Sequence, residues 1–426
     1  MHLAFITAGG AGMFCGSCMH DNALTRALMG LGVEVSLLPM YTPIRVDERN
    51  VSEQRVFLGG INLYLDVMSP VWRRMPRFVR RLVDRPGFIR FATRFGVSND
   101  ARELGELTLA NLRGTDGVQK AAVEELADYV ATLRPDVVIY SNALLAGSLR
   151  AIRKRFSGPA VCLLQGDDIF LKDLVEPYRS QALSLLKERA GEFDAFLAHS
   201  RYYAEFMSEY AGLPREKMHV VPLGIDLEGH AGEVKRQLGS PPVIGYFGRI
   251  CPEKGLHLLV DAVERLRATR PDVQLRVGGY LGARDAAYYA GIAERTESWG
   301  EGFASIGSPA THAEKVAFLR SLDLFSLPTT YREPKGLSVL EAMANGVPVV
   351  QPAHGAFPEM LERTGGGLLF EPENAADLAA KLDHLLADDA RRVSLAEAGR
   401  RAVHGNLGTD PTARMTLDML SSLRRA

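Results

Sequence analysis

Short apolar runs alternate with amphipathic stretches along almost the whole chain. In the first half the runs are HLAFITA, VEVSLL, DVVIYS, AVCLLQ, DAFLAH and HVVPLG, each of strand length and apolar nearly throughout. Between most of them, apolar residues recur at helical spacing. A strand with no polar face belongs in a parallel sheet covered by helices on both sides. After GSPP at 239–242 the rhythm restarts with VIGYFG, VQLRVGG, FASIG, DLFSLP, VPVVQP and GLLF. Two such series predict an α/β protein of two doubly wound, Rossmann-like domains, 1–237 and 238–407, followed by a helix at 408–426. Neither a short fixed-period repeat nor a low-complexity tract interrupts the pattern.

Composition excludes several classes. At 426 residues the chain can bury two or three cores. Fifty Lys and Arg against 51 Asp and Glu leave no bulk charge for nucleic acid. Four cysteines in this length fit reduced thiols in a cytoplasmic protein, not a secreted disulfide scaffold. MHLAFITAGG has no cationic leader and reads as a first strand, and no run approaches the length of a membrane span. The protein is expected to be soluble or peripheral.

In doubly wound sheets, ligands bind beyond the carboxyl ends of the strands. The first such loop is GGAGMFCGSC, Gly9 to Cys18. Gly12 and Gly16 permit a close backbone approach to a phosphate or an acceptor, although a turn made only for packing explains them equally well. The spacing of Gly10, Gly12 and Gly16 is not G-x-G-x-x-G, and the second strand ends LLPMYTP without a ribose-binding acid. A nicotinamide dehydrogenase is therefore disfavoured. Cys15 and Cys18 form a C-x-x-C with His20 behind it. A closed zinc site needs four ligands. The next candidate is the distant Cys251, so two small buried thiols are the favoured reading and no metal is assigned.

FGRICPEKGL follows the first strand of the second series. Arg249 offers a planar fork for phosphate oxygens and Lys254 a mobile point charge, with Gly248 and Gly255 shaping a tight loop. After LDLFSLP comes YREPKGLSVLEAMANGVPVV, 331–350. Pro334 and Gly336 shape a turn beside Lys335, and LSVLEAMANG starts a helix. The backbone N–H groups of Gly336, Leu337 and Ser338 suit a phosphate on the helix dipole. Glu333 lies before that helix and Glu341 one turn inside it, each able to accept from hydroxyls. Two carboxylates flanking a cationic, N–H-rich phosphate site describe a ligand ordered polyol, diphosphate, ribose. That is a nucleotide sugar.

This constellation resembles the family 4 glycosyltransferases of the GT-B fold, which carry a Glu-x7-Glu motif. VVPLGID, GRICPEKGL, EAMANGVPVV, GAFPE and GGGLLFEPENAADLA extend the resemblance across nearly all of the second domain. It implies two Rossmann-like domains facing each other across a cleft, with the last helix crossing back to the first. By resemblance, Arg249 and Lys254 bind the diphosphate, Glu333 holds the sugar hydroxyls, Glu341 binds the ribose, and Gly336 and Leu337 give backbone donors. The resemblance implies transfer with retention, and the cations stand where a divalent metal would be needed, no D-x-D being present in the loops expected to hold one. Many members have a histidine near the donor sugar after a first-domain strand. Here LLQGDD places Gln165 in that position, followed by Asp167 and Asp168, either a cleft residue or a helix cap.

Two other functions fit the same residues: a nucleotide-sugar 2-epimerase, and a non-catalytic nucleotide-sugar-binding protein suggested by the missing histidine. The acceptor, a glycan, lipid or small molecule, is not specified. VWRRMPRFVRRLVDRPGFIRFATRF, 71–95, holds eight arginines against Asp84, with apolar residues at helical spacing. It reads either as a docked insertion or as peripheral contact with an anionic membrane, on its inner face, or with an anionic acceptor.

Overall fold

The computed structural model describes residues 1–9, 16–57, 75 and 105–424. Gly10, Gly12, Cys15 and, apart from Met75, the segment 71–95 lie outside the described residues.

Every one of the twelve apolar runs overlaps a strand. In the first unit these are β1 (His2–Thr7), β2 (Glu34–Pro39), β3 (Val137–Tyr140), β4 (Ala160–Leu163), β5 (Ala195–Ala198) and β6 (Met218–Val220). In the second they are β7 (Val243–Phe247), β8 (Gln274–Gly278), β9 (Phe303–Gly307), β10 (Leu324–Phe325), β11 (Val349–Pro352) and β12 (Gly367–Phe370). The first sheet is ordered β2-β1-β3-β4-β5-β6 and the second β12-β11-β10-β7-β8-β9. All ladders are parallel, as in Leu3 beside Val137 and Ile244 beside Leu275. Burial explains the absence of alternation: all four residues of β3, β4, β5 and β11 are buried. Some helices begin where a polar side chain caps them; Ser200 accepts from Tyr203 N at the start of Arg201–Ala211, and Asn374 from two N–H groups at Ala375–Ala387.

Each sheet reverses its strand order once, between β1 and β3 in the first and between β7 and β10 in the second. Loops leaving neighbouring strands at that point diverge to opposite faces and open a crevice. The second crevice lies between the loops after β7 and β10, which carry Arg249, Lys254 and Glu333.

The chain forms two compact units, Met1–Pro222 with Asp410–Ala426, and Leu223–Thr409. The sequence reading ran the first domain to 237, but 223–237 packs in the second unit. Leu223 and Ile225 join its core, and Arg392 donates to the carbonyls of Lys235 and Arg236 at 2.8 and 3.1 Å. Ile225 N donates to Leu407 O at 3.0 Å and Thr409 N to Ile225 O at 2.9 Å, so the chain enters and leaves this unit along one backbone ladder. Helix Thr409–Leu423 lies in the first unit, its Ala413, Met419 and Leu420 clustered with Leu3, Phe5 and Leu28. Among the described residues no helix is long and apolar enough to cross a membrane.

Candidate active site

In the second unit, β7 ends at Phe247 and Gly248 N donates to Gly278 O at 3.1 Å, tying the loop's first residue to the neighbouring strand end. A 3₁₀ turn over Pro252–Lys254 then leads through Gly255 into helix Leu256–Arg267. Gly255 has φ +73°, and a Cβ there would lie 1.8 Å from Pro328 O. Only glycine lets the loop after β7 lie this close to the loop after β10. Thr330 N donates to Glu253 O at 3.0 Å and fastens the two together.

This lacing brings Lys254 to Glu333, with Nζ to Oε2 at 2.6 Å. Glu333 is 5% exposed. Tyr331 donates its hydroxyl to Oε2, while Lys335 N and Gly336 N reach Oε1 at 3.2 and 3.3 Å. Four donors thus fill the lone pairs of one carboxylate. Burial pushes its pKa up, but the Lys254 ammonium and these bonds overcome that and hold it at about 2. Burial, and then the Glu333 charge, push the Tyr331 phenol up, which keeps it a donor. The backbone of Glu333 is clamped from the other side: Ala356 N donates to its carbonyl at 2.8 Å, and a Cβ on Gly355, φ +63°, would fall 2.6 Å from it.

Helix Leu337–Ala344 begins at Gly336 without a side-chain cap. Of the three N–H groups expected to meet a phosphate, Gly336's is directed to Glu333. Those of Leu337 and Ser338 have no partner among the described residues. Arg249 is half-exposed, its Nε donating to Cys251 Sγ at 3.2 Å and its NH2 4.0 Å from Glu253. Cys251 is wholly buried with this guanidinium on its sulfur, a poor setting for a metal ligand. Glu341, one turn into the helix, accepts at Oε1 from Lys315 Nζ at 2.9 Å.

Lys315 and Tyr331 were not singled out in the sequence. Lys315 left one signal: it stands on the stripe of helix His312–Ser321 shared with Val316, Phe318 and Leu319.

In the first unit, Gly16 opens helix Gly16–Gly30 and is exposed. Gln165 follows β4 but directs its amide inward, Nε2 donating to Asp21 Oδ1 at 2.7 Å and to Ser141 O at 3.0 Å. Asp21, fully buried, also accepts from Thr7 Oγ1 at 2.6 Å. Gln165 therefore ties together β1, β3 and the first helix at the strand ends. Its amide donors are committed to this network. Asp167 is a loop clamp, its carboxylate accepting from Ala143 N at 2.6 Å and Gln165 N at 3.0 Å. Burial raises its pKa to about 6 against these bonds. Asp168 is likewise buried, held by Tyr203 and Lys172, both at 2.8 Å. Cys18 is buried in the first unit's core.

Two parallel doubly wound sheets, the second with a cation–carboxylate clamp and open helix N–H groups at its switch point, define a GT-B protein. The fold matches a sucrose-phosphate synthase from Thermosynechococcus elongatus (18% identity, TM-score 0.70, 99% of each chain). It also matches Anabaena HepE, solved in complex with UDP (17%, TM-score 0.68, 99% of this chain and 100% of that one). Two family models match, Glycosyl transferases group 1 over residues 233–402 and Glycosyltransferase Family 4 over 117–228. The chain belongs to the family 4 glycosyltransferases. It is 33% identical over 303 residues to a D-inositol 3-phosphate glycosyltransferase of Stackebrandtia nassauensis, 66% of each chain. A lipopolysaccharide core mannosyltransferase, LpsB of Rhizobium meliloti, is 35% identical over 205 residues, 45% of this chain and 56% of that one. The matches span 66%, 40% and 56% of the length of the first three such relatives.

Proposed function

We propose that this protein is a retaining glycosyltransferase that moves a sugar from a nucleotide-diphosphate sugar to a hydroxyl of an acceptor. The observation that carries this reading is the Lys254–Glu333 pair at 2.6 Å, set beside the unpartnered N–H groups of Leu337 and Ser338. In this reading Arg249, Lys254 and those N–H groups receive the diphosphate, and Glu341 receives the ribose. The anomeric C–O bond to phosphate breaks, and the acceptor oxygen bonds to the same face of that carbon. The acceptor's proton passes to the departing phosphate oxygen, and a nucleoside diphosphate leaves. Charge developing on the leaving group meets fixed cations and N–H dipoles in a site already arranged for it. The same cations serve in place of a divalent metal, so chelation should leave turnover intact.

Because four donors already fill Glu333, a sugar hydroxyl needs one of them to move. Lys254 is the donor with somewhere to go. On donor binding it turns toward the β-phosphate and releases Oε2 to the sugar. The acceptor belongs to the first unit, and segment 71–95 brings the protein to an anionic membrane surface inside the cell.

The test is a thermal-shift panel of UDP-, GDP- and ADP-sugars on the full chain, followed by assay of nucleotide release and of the product's anomeric configuration. A ligand at a hundred times its Kd adds about 2.7 kcal/mol of stability. A shift with one base and a retained anomer are the expected outcome. The absence of a shift with every nucleotide defeats the donor reading. A second sugar nucleotide formed without any acceptor makes the protein an epimerase instead.

A further inference from the structure

Lys315 is 3% exposed, on a helix stripe whose other buried members, Val316, Phe318 and Leu319, are apolar. A leucine or methionine would fill that position without the desolvation cost of an ammonium, and replacing a buried ion pair with apolar residues is often neutral or stabilising. The charge is therefore not explained by packing. Its partner is Glu341 Oε1, 2.9 Å away. The other end of Glu341 is also held, its carbonyl accepting from Asn345 Nδ2 at 2.9 Å. Asn345 Nδ2 donates as well to Nδ1 of the fully buried His230 at 2.8 Å. Burial holds that imidazole neutral, its pKa lowered to about 4. Glu341 is thus fixed through its backbone and through one carboxylate oxygen. Oε2 has no protein partner among the described residues.

We infer that Lys315 is a positioning residue for nucleotide binding, acting through Glu341, whose carboxylate it holds at Oε1 so that Oε2 faces a ribose hydroxyl. The inference rests on the proposed donor site. It assigns to Lys315 a share of the affinity for the nucleoside and none of the affinity for phosphate.

The experiment is titration calorimetry on the full chain with UDP, GDP, ADP and inorganic pyrophosphate. The tightest-binding nucleotide is then taken through Lys315→Met, Glu341→Gln and the double variant. Lys315→Met should weaken that nucleotide about tenfold, in the range of one lost charge-assisted hydrogen bond. Pyrophosphate affinity should not change, and the double variant should bind no more weakly than Glu341→Gln alone. A merely structural lysine would disturb pyrophosphate as well. Wild-type nucleotide affinity in Lys315→Met overturns the inference, as does a double variant whose loss is the product of the two single losses. If Lys315→Met does not fold, the double variant, which removes both charges, carries the comparison with Glu341→Gln. If that too fails to fold, Lys315 serves the fold and the inference falls. Weakening by Glu341→Gln alone defeats the lysine's role and leaves the donor site standing, whereas no nucleotide binding to wild type removes both.

Discussion

Glu333 is a buried carboxylate that accepts from four donors, and its titration follows from that. Its folded pKa of about 2 lies below the usual 4.5. The stability it contributes is complete above the unfolded value and is lost as pH falls from there toward 2. By size the shift is worth about 3 kcal/mol. Lys254→Met removes the countercharge and leaves the burial, so the acid-unfolding midpoint should move to higher pH. Circular dichroism against pH checks this, and superimposable curves would show the pair to be idle. The same substitution, like Glu333→Gln, should lower kcat about a hundredfold or more if the donor site is as proposed, with the fold intact at pH 7. Arg249, Lys254, Glu333 and Glu341 were legible because their places are fixed locally, by strand ends, turn glycines and a helix start. Lys315, Asp21 and the inward turn of Gln165 were not. What a buried polar group does depends on partners far along the chain, such as Asp21 for Gln165, and those distances leave no spacing to read.

Strand positions were legible for a simple reason. A strand buried on both faces is a short apolar run whatever its neighbours are, and every such run paired. The boundary at 237 misled because Gly239, Pro241 and Pro242 mark a turn, and a turn does not say which core the preceding segment joins. Close approach between loops was visible only as glycine, with no indication of which glycine mattered. Gly255→Ala should show the difference, placing a Cβ 1.8 Å from Pro328 O at φ +73°. The left-handed backbone alone costs about 1–2 kcal/mol, and the clash adds to it. Gly291→Ala, in helix Ala286–Thr296 with nothing within 4 Å of the new Cβ, should instead raise stability by about 0.5–1 kcal/mol. Urea midpoints of the two variants check the pair. Equal midpoints would mean that the loops yield.

For the whole molecule, the proposed membrane contact through 71–95 gives a salt-dependent expectation. The protein should sediment with anionic vesicles at low salt and be released at high salt, as screening shortens the reach of its arginines. A variant with Arg73, Arg77, Arg80 and Arg81 changed to Ser should stay in the supernatant. If it sediments like wild type, the contact lies elsewhere. The division at Pro222 and Thr409 has a consequence for biosynthesis. A ribosome makes the six strands of the first sheet before the second unit, but the helix that covers Leu3, Phe5 and Leu28 emerges after all of it. The earlier-made half is thus the later to mature: it waits with an apolar face uncovered while the second unit completes. A released chain truncated after Thr409 should therefore resist protease across 223–409 and be cut within the first unit, the reverse of the N-to-C order in which domains usually finish.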